Sequence, residues 1–116
     1  MKMTFVITDE RCPSWNTYYS GKHWAQRKAE VDRIHLLVRS LIDPITVEMF
    51  RVPVHITVTA HYKSKPVDPD NVCAKPYIDA LKGWIIADDT PHYVESVTTR
   101  SRLNDHNRVE IEVEAQ

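Results

Sequence analysis

The sequence predicts an α+β fold, one mixed sheet with helices packed on it, in the order β-α-β-α-β-β. Three observations carry this. Between Trp24 and Ile42 the apolar residues Val31, Ile34, Val38 and Leu41 recur at three- and four-residue steps, the period of an amphipathic helix. From Val54 to Tyr62 the period is two: Val54, Ile56, Val58, Ala60 and Tyr62 share one face, and His55, Thr57, Thr59 and His61 the other, as in a half-buried strand. Near the end Val109, Ile111 and Val113 alternate with Arg108, Glu110 and Glu112.

Taken in order, residues 3 to 7 suit a strand, which Cys12-Pro13-Ser14 breaks. The helix from about Trp24 to Ile42 stops at Asp43-Pro44, because the residue before a proline is pushed out of helical geometry. After the strand over Val54 to Tyr62, a second helix fits about Cys73 to Lys82. Its apolar side is Ala74, Tyr77, Ile78 and Leu81, and Gly83 stands where a C-terminal cap belongs. Two strands, roughly Tyr93 to Leu103 and Arg108 to Glu114, flank the turn Asn104-Asp105-His106-Asn107.

Length and composition bound the function. A chain of 116 residues suits a single domain, residues 1–116, and 42% apolar with 27% charged residues is an ordinary globular mixture. No apolar run reaches the ~18 residues of a membrane span, and MKMTFVITDE lacks the longer apolar block of a signal peptide, so a cytoplasmic protein without membrane partners is expected. Cys12 and Cys73 have no CxxC spacing, and reduced thiols are the simple reading. The six histidines show no metal spacing. The net charge of -1 gives no general basic character, but its distribution is uneven. Arg11, Lys22, Arg27, Lys28, Arg33 and Arg39 face only Glu30 and Asp32 in their stretch, while Asp68 to Asp89 is acidic. That is either a basic surface beside an acidic pocket or the solvated face of a helix.

The stretch KPVDPDNVCAKPYIDALKGWIIADDT carries the chemistry. Pro66 and Pro69 favour extended backbone, which sets Asp68 and Asp70 side by side about 6.5 to 7 Å apart. Asp70 or Asn71 then caps the next helix. About ten helical residues lead ~15 Å away, and an extended Trp84-Ile85-Ile86-Ala87 leads ~13 Å back, returning Asp88 and Asp89 towards Asp70. Converging carboxylates repel unless a divalent cation joins them, and hard oxygen donors suit Mg²⁺ or Mn²⁺. Such sites activate water and stabilise the oxygens of a phosphoryl displacement. Lys75 can contact a scissile phosphate or balance the acids. The plainer alternative has Asp68 and Asp70 as caps, Asp88-Asp89 as a turn, and Lys75 paired with Asp79 at helical spacing. A calcium loop is excluded: counting from Asp68, Val72 and Cys73 occupy the positions that need an oxygen ligand and a glycine.

At these residues the sequence resembles the RusA-type Holliday junction resolvases, Mg²⁺-dependent homodimeric endonucleases that cut four-way DNA junctions. The ordered set is Asp68, Asp70, Asn71, Lys75, Asp79, Leu81, Gly83, Asp88 and Asp89. The early PSWNTYY and the closing NRVEIEVE resemble the family's first and last segments, so most of the chain is covered. The resemblance implies that Asp68, Asp70 and Asp89 bind the metal and that Lys75 is the catalytic-site lysine, choosing Asp89 over Asp88. It departs at one point. Three residues, Val72-Cys73-Ala74, precede Lys75 where the family often has two, which turns Lys75 by ~100° unless the helix begins after them. Pro76 favours such a late start.

DNA contacts are read more loosely. Lys22, Arg27 and Lys28 are candidates for phosphates, and Lys63 and Lys65 stand just before the acidic pair. Trp15, Tyr18 and Tyr19 are candidates for stacking on unpaired bases, or simply cover the core. Symmetric cutting needs two sites and hence a two-fold homodimer. The apolar side of helix 24 to 42 is either that interface or core. The expectation is an Mg²⁺-dependent endonuclease resolving branched DNA, of bacterial or phage origin by resemblance. The alternatives are a nuclease for flaps and a catalytically silent DNA-binding module.

Overall fold

A strand apolar on one face needs a second layer against it, and helices on one side of the sheet supply that layer here. The structure, a computed structural model, describes residues 1–19 and 24–115. Its elements are β1 (Lys2–Thr8), α1 (Trp15–Tyr19), α2 (Trp24–Ser40), β2 (Val54–Tyr62), a 3-10 turn (Pro69–Asn71), α3 (Lys75–Leu81), β3 (Val94–Leu103) and β4 (Arg108–Ala115). The α+β class and the order of strands and long helices agree with the sequence. The short helix α1 is an addition, and the predicted DNA contact Lys22 lies outside the described residues. None of the described helices is long and apolar enough to cross a membrane.

The sheet order is β1-β4-β2-β3, with β2 and β3 parallel and the other pairs antiparallel. The turn before β4 therefore closes no hairpin, because β2 lies between the strands it joins. Asn104 and Asn107 carry the chain over the end of β2. The Asn104 N–H donates to the Tyr62 carbonyl at 2.8 Å, and Asn107 Oδ1 accepts from the Lys63 N–H at 2.9 Å.

The core lies between the sheet and α2–α3. Ile56 and Val58 of β2, Ile111 and Val113 of β4, Ile34 and Val38 of α2, and Tyr77 and Leu81 of α3 are all fully buried in it. The apolar face of α2 is thus core, not a free dimer interface. Leu41, expected on that face, is 43% exposed, and Ile42 is buried instead. The cause is local: Leu41 and Ile42 donate to Val38 and Arg39, three residues back, so the last turn tightens and brings Ile42 inward. Cys12 and Cys73 are buried and free, and burial pushes their thiols up to about 12 and about 11.

β2 departs from the half-buried pattern. Thr57, Thr59 and His61, on its outer face, are buried as well. A central strand is flanked on both sides, and the long side chains of Arg100, Arg102, Arg108 and Glu110 on the neighbouring strands overshadow its short ones.

Glu10, just after β1, is buried with a carboxylate that Arg33 of α2 clasps through two nitrogens, at 3.0 and 3.3 Å. Tyr77 of α3 donates its hydroxyl to the same carboxylate at 3.2 Å. One acid thus joins the end of β1 to both long-range helices.

Two histidines are placed so that acid is expected to weaken the fold. Burial and the charge of Arg39 lower the pKa of His35, and burial and the charge of Arg108 lower that of His61, from an ordinary 6.5. Between the folded and unfolded values the unfolded chain binds more protons, so stability falls as pH drops below about 6.5 through the folded values. A lower urea midpoint is expected at about pH 5.5 than at about pH 7.5, with a smaller difference in His35→Gln. Equal midpoints at the two pH values in the native chain would remove both histidines from this role.

Candidate active site

α3 is short, and its position rests on burial more than on capping. Ala74 precedes it without a side-chain cap, Lys75 is its first residue and Pro76 its second, a position where the missing N–H would have had no partner. Pro76, Tyr77, Ile78, Ala80 and Leu81 are buried and fix the helix on the core. The helix therefore begins later than Cys73, and the extra residue before Lys75 is taken up by non-helical backbone. Neither Asp70 nor Asn71 caps it. Both belong to the separate 3-10 turn, where Asp68 stands at the N-cap with extended backbone and no side-chain bond. Because Asp70 is in that turn, Asp68 and Asp70 do not share one extended strand as the two prolines suggested.

The exit from α3 also differs from the extended return. Lys82 is the C-cap, and Gly83 follows at φ +80°, a left-handed conformation suited to glycine. The N–H groups of Trp84, Ile85 and Ile86 all donate to the Leu81 carbonyl, at 3.2, 2.9 and 3.2 Å, so the chain coils under the helix end. Burial of Ile85 and Ile86 drives this. The route is shorter than a ~13 Å strand, and it delivers Asp88 and Asp89 to Lys82.

Lys82 is the residue the sequence did not single out. Its ammonium is 3.2 Å from Asp79, 3.1 Å from Asp89 and 4.0 Å from Asp88. Burial opposes the charge of Lys82, but Asp89 and Asp79 outweigh it and raise its pKa. Burial likewise works against the Asp89 carboxylate, and Lys82 outweighs it, leaving Asp89 below the usual carboxylate range. Asp88 Oδ1 accepts from the Asp89 N–H at 2.8 Å, the turn of the plainer reading. That reading also holds for Lys75, which pairs with Asp79 at 3.5 Å. The available signal was the three-residue step from Asp79 to Lys82.

Lys75, Asp79 and Asp89 of this cluster border a cavity of about 330 Å³, whose wall also includes Trp15, Val97 and Thr99. Thr99 of β3 donates its hydroxyl to the Pro69 carbonyl at 2.6 Å, which ties the 3-10 turn bearing Asp70 to the same strand. Arg11 steadies the approach to Asp68, donating to the carbonyls of Ser64 and Lys65 at 3.0 and 2.9 Å. Oxygen donors of this type suit a hard cation, yet the expected convergence is not formed. Among the described residues no three His, Cys, Asp or Glu side chains are placed to hold a metal ion, and Asp89 spends its charge on Lys82.

The aromatic candidates separate. Trp15 and Tyr19 stack with centroids 5.7 Å apart, and the Arg27 guanidinium lies 5.0 Å over Tyr19, so a partly exposed layered surface lies beside the cavity. Tyr18 is 5% exposed and packs edge-on against Tyr19, which removes it as a base-stacking residue. Lys28 is engaged by Asp32 at 2.9 Å across one helical turn. Lys63 and Lys65 are exposed beside the loop that leads to Asp68. Compared with protein-family models and with curated proteins, the sequence returns no significant match.

Proposed function

We propose that the chain is a structure-selective DNA endonuclease that hydrolyses phosphodiesters of branched DNA, four-way junctions first among them. One observation carries the reading: Lys75 and Asp89, distant members of the ordered motif, line one cavity with Trp15, and Thr99 on the cavity wall holds the turn that bears Asp70. A pocket with a cation, carboxylates and an exposed aromatic stack suits a phosphate flanked by unstacked bases. In this reading Mg²⁺ or Mn²⁺ is the cofactor, with Asp68, Asp70 and Asp89 as the oxygen donors whose chemistry a hard cation takes. The carboxylates as arranged do not form its ligand set among the described residues.

The part played by the chain's own groups is positional. Lys75 is 43% exposed at the first turn of α3, and releasing Asp79 frees its ammonium for a phosphate oxygen. Lys75→Ala is expected to lower single-turnover cleavage about 10- to 100-fold while junction affinity changes less than about threefold. Turnover near that of the native chain would assign the cationic role elsewhere. Cutting both strands of a junction symmetrically calls for a homodimer.

The test is cleavage of a labelled four-way junction beside a flap and a linear duplex, with Mg²⁺ and with EDTA. Paired, metal-dependent nicks confined to the junction support the reading. Cuts confined to the flap change the substrate. A second reading has its own observation: Lys82 already neutralises Asp89, as expected of a DNA-binding module without catalysis. Junction binding without any cleavage under Mg²⁺ or Mn²⁺ would favour it.

A further inference from the structure

The helix-free face of the sheet holds a second cavity, of about 260 Å³, that the site around α3 does not use. Strand register builds it. Arg102, His61 and Arg108 stand in one row across β3, β2 and β4, and Arg100, Thr59 and Glu110 form the next. Side chains alternate along a strand, so Thr99, the neighbour of Arg100, faces the helix side, where it holds Pro69.

The acids of this face already have cations beside them. Glu112 pairs with Lys2 at 3.0 Å, and Glu110 Oε1 lies 3.0 Å from Arg108 Nε. Arg100 and Arg102, both exposed, form no ion pair among the described residues. Between them and Arg108 lies His61, only 6% exposed. Asn104 Nδ2 donates to His61 Nδ1 at 3.0 Å, an arrangement that puts the ring proton on Nε2. That N–H and the Nε–H of Arg108 are both buried without a hydrogen-bond acceptor. Glu110 Oε1 is 3.4 Å from the first and 3.0 Å from the second, but off the line of either bond.

Buried donors without acceptors are costly, and two uncompensated guanidiniums beside them set the sign of what would relieve them: an anion rich in oxygen. The spacing favours a polymer over a small ion. Arg100 and Arg102 lie two residues apart on an edge strand, about 6.6 Å, so each can meet its own phosphate along a nucleic-acid strand rather than share one small ion. We infer that this groove is a phosphodiester-binding face, which grips DNA on the side of the sheet opposite the candidate cutting site. It rests on the DNA reading above for the identity of the polymer, and consecutive residues of β3 then serve the two faces.

The test is binding in EDTA, where no metal-dependent cleavage occurs, of a fluorescent four-way junction to the native chain and to an Arg100→Gln/Arg102→Gln variant across a salt series. The expected result is a Kd about 10- to 100-fold weaker in the variant, with the slope of log K against log salt reduced by about 2. An Arg100→Lys/Arg102→Lys variant restores the slope, and equal thermal melts exclude misfolding. Affinity and slope unchanged in the Gln variant overturn the groove and leave the nuclease reading standing. Weakened binding in a chain that cuts nothing keeps the groove and removes the nuclease. No DNA binding by the native chain overturns both.

Discussion

On the nuclease reading proposed above, replacing Asp70 by Asn is expected to lower metal-dependent junction cleavage by at least about 100-fold, while junction affinity in EDTA stays within about threefold. The loss would follow from taking away one of the oxygen donors that, in that reading, a hard cation requires. Asp70 is the informative carboxylate because its replacement disturbs nothing else. It is exposed on the 3-10 turn, and its side chain has no hydrogen bond or ion pair among the described residues. Asp89→Asn is less clean, since it also releases Lys82 from a 3.1 Å contact. The measurement is single-turnover cleavage with Mg²⁺, paired with anisotropy in EDTA. An Asp70→Asn variant that cuts at the native rate takes Asp70 out of the site, and with it the central motif of the proposed function.

Arg33→Met lowers stability by about 2 to 3 kcal/mol, a fall of the order of 10 °C in Tm for a domain this size. Methionine keeps the aliphatic packing of the arginine stem but leaves the Glu10 carboxylate, buried at 4% exposure, with the Tyr77 hydroxyl as its one hydrogen-bond donor among the described residues. The loss sits at the low end for broken buried pairs because the Arg33 side chain is itself 51% exposed and partly screened. Adding Glu10→Gln to Arg33→Met recovers part of the loss, since the uncompensated charge is then gone. Urea unfolding of the two variants decides it. A single variant within about 0.5 kcal/mol of the native chain would show that water, not Arg33, keeps Glu10 solvated.

Periodicity made the scaffold legible where one face of an element is buried. α2, β2 and β4 follow from three- to four-residue or two-residue steps, β1 from a short strand-suited run, and Asp43-Pro44 bounds α2 to within a turn. What pattern could not carry was partner identity. The sequence offers no sign that β2 slips between the two strands joined by Asn104–Asn107, so the outer face of β2 reads as solvent-facing when its neighbours cover it. The same limit applies at the site. Asp70, Lys75 and Asp89 were legible as residue types in order, and Lys75 and Asp89 do meet at one cavity. The path after Gly83 was not legible, because Ile85 and Ile86 read equally as a short strand or as buried residues of a coil. Lys82, which that coil brings to Asp89, went unnoticed with it.

The place of β4 in the sheet also bears on the order of events during synthesis. It is the last of the four sheet strands to be synthesised, yet it separates β1 from β2 and pairs with both. Until it emerges, β1 has no strand partner, and β2 can join only β3, which pairs with it in parallel across the whole α3 segment. A nascent chain that lacks β4 therefore exposes two open strand edges and the part of the core that Val109, Ile111 and Val113 complete, a form prone to mispairing or to capture by chaperones. Joining β1 to the rest of the sheet therefore waits on β4, a pairing distant in sequence and correspondingly slow to form.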